Sequence, residues 1–257
     1  MSKLFSQITK MTSHLGVTVD RPYFTHAGRI YYYTHDPPHL LKSVQNNLFK
    51  YTTFFGDQKA AKWFDITHFY ETDQKQRFRL TPKLTSCHVG LPAFSKMKVK
   101  LAAQVISRTV AAALETHSHV GSGASEMAEF SMQFNDLFDC MNSSRLRDAN
   151  RLKWPLSVKG TCDQTKFLNA CFNWLTTICV QTDSGKYVTN EVKCFADGSC
   201  PLLHSLNLTP NYVAHQLQAL LSTSKPKVHH RLRVSIQMLN LHQHLHWVPS
   251  DRGTCAV

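Results

Sequence analysis

Paired-cysteine metal motifs are missing from this 257-residue sequence. Its eight cysteines, Cys87, Cys140, Cys162, Cys171, Cys179, Cys194, Cys200 and Cys255, include no CxxC pair, so a zinc finger or ribbon is not supported. Long apolar runs are missing too; none approaches the roughly 18–20 residues a membrane-spanning helix needs. The opening stretch MSKLFSQITKMTSHLG has no apolar core of a secretory signal. Together these absences predict an intracellular protein with free thiols and no membrane partner. Gly121-Ser122-Gly123 is followed by no Gly-Lys-Ser or Gly-Lys-Thr, which excludes a phosphate loop there. No internal repeat is present. Acids are scarce: 17 Asp and Glu against 29 Lys and Arg, a formal charge of +12. That excess favours polyanionic partners, nucleic acid or nucleotides, and is also compatible with a merely basic soluble protein.

What is present is a chain able to fold. Hydrophobic residues make up 42% and charged residues 18%, which excludes disorder throughout. The length suits one large domain or two small ones. Spacing predicts a short helix over 4–15 and a β-branched, aromatic strand over 29–34. Asp36 then stands as a helix N-cap before Pro37, with Leu40, Leu41, Val44 and Leu48 at helical spacing. Residues 56–62 read as a polar break, Trp63–Tyr70 as a helix, 71–79 as a charged connector and 80–94 as largely irregular. One helix is predicted from Phe94 to Leu114. Val99, Ala102, Ile106, Val110 and Ala113 fall on its core arc, and Lys96, Lys100, Ala103, Ser107 and Ala111 on a second arc. Further helices are expected over 125–142 and 164–180, with turns at 182–185 and 197–199 and a weaker helical pattern over 211–222.

Three groups of residues carry candidate chemistry. Asp36, at the junction of a strand and a helix, suits a hard cation such as magnesium, and equally suits a plain N-cap. Asp139 and Asn142 share a helix face. A carboxylate there can accept the adjacent N1–H and N2–H of guanine, which adenine lacks, or simply end a solvated helix. His242, His244 and His246 alternate and could bind a transition metal if they lay on a strand.

Three segments in order resemble the P-element transposase family. The first is Pro22-Tyr23-Phe24, then Ile30-Tyr31-Tyr32, then Asp36-Pro37-Pro38-His39-Leu40-Leu41-Lys42-Ser43-Val44-Gln45-Asn46-Asn47-Leu48, where Gln45 replaces the usual arginine. The second is Leu80-Thr81-Pro82-Lys83-Leu84-Thr85, His88, and Lys96-Met97-Lys98-Val99-Lys100-Leu101-Ala102-Ala103-Gln104-Val105-Ile106-Ser107. The third is Phe138-Asp139-Cys140-Met141-Asn142-Ser143-Ser144.

The resemblance implies a mainly α fold: a partial RNase H-like strand-helix remnant over 1–55, a helical GTP-binding insertion domain over 56–180, and a divergent, poorly ordered or partly helical tail over 181–257. Members carry two aspartates and a glutamate that hold two magnesium ions for DNA cleavage and strand transfer. Asp36 matches the second aspartate. Lys83, Val99, Ser107, Asp139 and Asn142 match the guanine-nucleotide contacts. The implied cofactors are GTP and Mg2+. The implied partners are DNA, a guanine nucleotide, and a second copy or full-length transposase. The implied location is the nucleus. Neither Asp20 nor Glu191 matches the remaining carboxylates, and no THAP finger is found. A truncated or domesticated transposase fragment, inactive in cleavage on its own, is therefore expected. A DNA-binding or oligomerising adaptor without nucleotide and a non-functional remnant are the alternatives.

Overall fold

The computed structural model describes residues 14–18, 21, 23–26, 29–32, 36–118, 124–142, 148–154, 163–192 and 194–195. The helix expected over 4–15, the turn at 197–199, the pattern over 211–222 and the three alternating histidines lie essentially outside these residues. The described fold is mainly helical, with two small antiparallel sheets.

The aromatic run at Arg29 does form a strand. β1 (Tyr23–His26) pairs antiparallel with β2 (Arg29–Tyr32), and Phe24 stacks on Tyr31 with ring centroids 5.3 Å apart. Helix α1 (Pro37–Leu48) follows. Asp36 caps it by accepting the His39 N–H at 3.2 Å, and prolines occupy the first two helical positions, where no N–H is needed. The next polar stretch is more ordered than its composition suggests. β3 (Thr52–Phe55) turns back through Gly56 and Gln58, both at positive φ (53° and 66°), into β4 (Lys59–Ala61). Glycine tolerates that conformation at Gly56 because it has no Cβ.

β4 is an edge strand with a free N–H at Ala60. Glu126 accepts it at 2.7 Å, and Lys59 pairs with Glu129 at 2.8 Å. These contacts tie the sheet to a long helix and cover an edge that could otherwise pair with another chain.

Helices α2 (Trp63–Asp73) and α3 (Ser86–Val89) follow. The helix expected over 94–114 is broken in two. A 3-10 turn at Ser95–Met97 leads into α4 (Val99–Val105), and a new helix, α5, spans Arg108–Ser118. Ile106 leaves helical geometry (φ −86°, ψ 75°), and Ser107 restarts the helix by accepting the Val110 N–H through Oγ. An uninterrupted apolar period hides this break, because Ile106 and Val110 are buried on both sides of it.

α6 (Ala124–Met141) and α7 (Asp163–Thr176) complete the helical layer. The segment expected to carry helix on to 180 instead becomes β5 (Cys179–Gln181), which pairs with β3. The small sheet is therefore ordered β4-β3-β5. It joins residues 52–61 to 179–181, so the expected division at 55/56 falls at the end of one of its strands. One apolar core runs from Leu40 in α1 to Phe195.

That core contains polar atoms with no partner. Gln45 is fully buried, and both its amide atoms lack a hydrogen bond. A buried unpaired amide costs about 1–3 kcal/mol. Gln45→Met keeps the length and removes the amide, so it is expected to raise stability by about 1–2 kcal/mol in urea unfolding. Destabilisation by the substitution would contradict this description of the site.

Candidate nucleotide site

The loop before α3 is built around one carboxylate. Asp73, at the end of α2 and 3% exposed, accepts from Leu80 N (2.7 Å), Thr81 Oγ1 (2.9 Å), Thr81 N (3.3 Å) and Arg79 Nε (3.2 Å). The same guanidinium donates to the carbonyls of Thr81 and Leu84 and lies over the Tyr70 ring. This clasp fixes both ends of Thr81–Leu84 and leaves Lys83 exposed between them.

A chain of hydrogen bonds then runs from this loop to α6. Thr85 and His88 form a reciprocal cap of α3, and His88 Nε2 meets Gln104 Oε1 of α4 at 3.0 Å. Ser107 donates its hydroxyl to the Gln104 carbonyl at 2.9 Å. The adjacent Arg108 N–H donates to Asn135 Oδ1 of α6 at 3.2 Å. Asn135 lies one helical turn before Asp139 on α6, so the break at Ser107 and Arg108 is tied to α6 one turn away from Asp139.

Asp139 is not a bare carboxylate. Asn150 Nδ2 donates to its Oδ2 at 3.1 Å, and Lys153 Nζ lies 3.3 Å from its Oδ1. Its side chain is 16% exposed. One oxygen thus accepts an N–H and the other faces an ammonium group, and the N1–H and N2–H edge of guanine would offer a donor to each. Asn142, just past the end of α6, is exposed and bonds through its N–H to the Phe138 carbonyl. Val99 is half-buried at the first position of α4. Ser107 is half-buried, its proton committed to Gln104 and one lone pair to Val110.

Residues 38–155 match the model of the TNP-like, GTP-binding insertion domain. The Transposable element P transposase of Drosophila melanogaster is 28% identical over 141 residues, 52% of this chain and 18% of that protein. The fold matches a chain of the Drosophila P element transposase strand transfer complex with a TM-score of 0.64 at 21% identity, covering 84% of this chain and 47% of that one. The chain is similar to the P-element transposases over these residues. It spans less than half the length of either relative.

The insertion-domain match covers Lys83, Val99, Ser107, Asp139 and Asn142. It also covers Arg108, Asn135, Asn150 and Lys153, which the sequence reading did not single out. Ser107 before a helical run was a readable N-cap signal for the break. Asn150 carried a similar one, since its side chain accepts the Leu152 N–H. Their approach to Asn135 and Asp139 is tertiary and leaves no local trace.

Asp36 stands just before the match. Its Oδ2 accepts the His39 N–H and also meets the His39 imidazole. Among the described residues no group of three or more His, Cys, Asp or Glu is placed to hold a metal. Glu191 is on an exposed 3-10 turn, paired with Lys186 at 2.8 Å. One carboxylate turned onto its own helix does not fit a magnesium pair, which needs several oxygen ligands.

Proposed function

We propose that this chain binds guanine nucleotide through the wall formed by the Lys83 loop, the Ser107 break and the Asp139 end of α6. The observation that carries the reading is Asp139: a largely buried carboxylate with an N–H on one oxygen and an ammonium group beside the other. Guanine offers two N–H donors on one edge and adenine does not. Lys83, exposed on a loop fixed by the Asp73 clasp, supplies charge for phosphate. Val99 is an apolar neighbour for the base, and Asn142 offers a hydrogen bond to base or sugar.

The test is Asp139→Ala. A charge-assisted hydrogen bond contributes about 1.5–3 kcal/mol, so GTP affinity should fall about ten- to hundredfold while ATP binding stays unchanged. Unaltered GTP affinity in Asp139→Ala would remove Asp139 from the site.

DNA is the second proposed partner. Between Lys59 and Lys100 there are nine basic residues and three acids, and Lys62, Lys75, Arg77, Lys98 and Lys100 are exposed. Binding driven by released counterions weakens steeply with salt and ignores sequence. Band shifts should show that behaviour, and salt-insensitive, sequence-selective binding would contradict it. DNA cleavage and strand transfer would need Asp36 together with carboxylates that the described residues do not place beside it, so the chain alone is expected to be inactive in both. A nuclear location belongs to the same proposal.

A further inference from the structure

The two partners of Asp139 come from a single short segment. Residues 148–154 fold as a strap against the end of α6, with a 3-10 turn at Arg151–Lys153. Asn150 caps that turn by accepting the Leu152 N–H at 3.1 Å, and Trp154 Nε1 donates to the Asp148 carbonyl at 2.7 Å. Gln164 of α7, buried, donates to the carbonyls of Arg151 (2.8 Å) and Trp154 (3.3 Å). The strap therefore has its own structure and its own anchor. The contact with Asp139 is additional to both.

We infer that this strap is an internal competitor for the guanine edge: Asn150 and Lys153 occupy the acceptor oxygens of Asp139, and guanine nucleotide enters by displacing them. The inference rests on the guanine-binding reading above and deepens it. The carboxylate stays partnered in the exchange, because the Asn150 N–H and the Lys153 ammonium that leave it are replaced by two N–H donors from the base. It is also feasible, because the Lys153 side chain is 39% exposed and Trp154 is 40% exposed, so the strap borders solvent. The apparent affinity for a ligand falls by the fraction of protein in the competent state. A strap closed in about nine molecules of ten would weaken guanine binding about tenfold.

The informative variant is Asn150→Asp. Aspartate still caps the turn, but it replaces the donor to Asp139 by a second carboxylate and repels it. Lys153→Gln, which removes the charge, is the companion. Guanosine is the main probe, because it has no phosphate and so carries no net charge for the substitutions to repel or attract. Calorimetry on the full chain should show guanosine binding about three- to tenfold tighter to Asn150→Asp than to wild type, with a smaller gain for Lys153→Gln. Deuterium exchange at amides 148–154 in wild type should rise when GTP binds. If wild type binds GTP while both variants bind guanosine equally or more weakly, or the strap amides become more protected, the strap is a supporting element and the inference is overturned, with the guanine reading intact. If neither wild type nor variants bind GTP or guanosine, both readings fail together.

Discussion

Phe130→Ala is expected to destabilise the protein by about 3–5 kcal/mol, the usual cost of emptying a large aromatic site in a packed core. Phe130 is fully buried on α6. Its ring centroid lies 5.6 Å from Phe55 of β3, 4.7 Å from Phe134, and 6.0 Å from Trp174 of α7. Phe55 and Phe134 also contact Trp174 directly. One side chain thus links sheet and helices, and its removal leaves a void that three rings cannot fill without shifting. Typical domains hold about 5–15 kcal/mol in total, so this variant should sit near the edge of folding. Urea unfolding with Phe130→Leu alongside gives the measure; leucine should lose much less. A loss under about 1 kcal/mol for the alanine variant would contradict the core described above.

Asp73→Ala should cost about 2–4 kcal/mol. The carboxylate is buried and receives backbone N–H groups from Leu80 and Thr81, the Thr81 hydroxyl and the Arg79 guanidinium. Its removal strands those donors and leaves Arg79 without its counter-charge. The same contacts give a pH signature. Burial alone would raise the Asp73 pKa, but the bonds from Leu80, Thr81 and Arg79 outweigh it, and the pKa lies below the ordinary value. A carboxylate with a lowered folded-state pKa contributes stability fully above its unfolded value, near about 4. That contribution is lost as pH falls through the lower folded value. The stability gap between wild type and Asp73→Asn should therefore be constant from neutral pH down to about pH 5 and shrink below about pH 4. A gap that does not change with pH would contradict the assignment.

The sequence carried the parts of this fold that local rules control. The cap at Asp36, the helical spacing through Leu48 and the period of α6 follow from side-chain size and hydrogen-bonding capacity over a few residues. The small sheet did not show. β4 has only Lys59-Ala60-Ala61, without a β-branched residue, and exists because β3 and Glu126 satisfy it. β5 was hidden at the end of a helical period and is a strand because β3 has a free edge there. The break at Ile106 and Ser107 was masked by apolar residues on both sides. In the candidate site, resemblance pointed to Lys83, Val99, Ser107, Asp139 and Asn142, and spacing alone linked only Asp139 with Asn142. The clasp at Asp73 and the strap at Asn150 and Lys153 are contacts between distant or irregular segments, which no periodicity encodes.

Paired calorimetric titrations of the full chain with GTP and with ATP, under identical salt, test the central claim most directly. Binding of GTP with at least a tenfold preference over ATP is the predicted result, because guanine presents two N–H donors on one edge to the oxygens of Asp139 and adenine does not. Equal affinity for the two nucleotides, or no binding of GTP, would contradict the account.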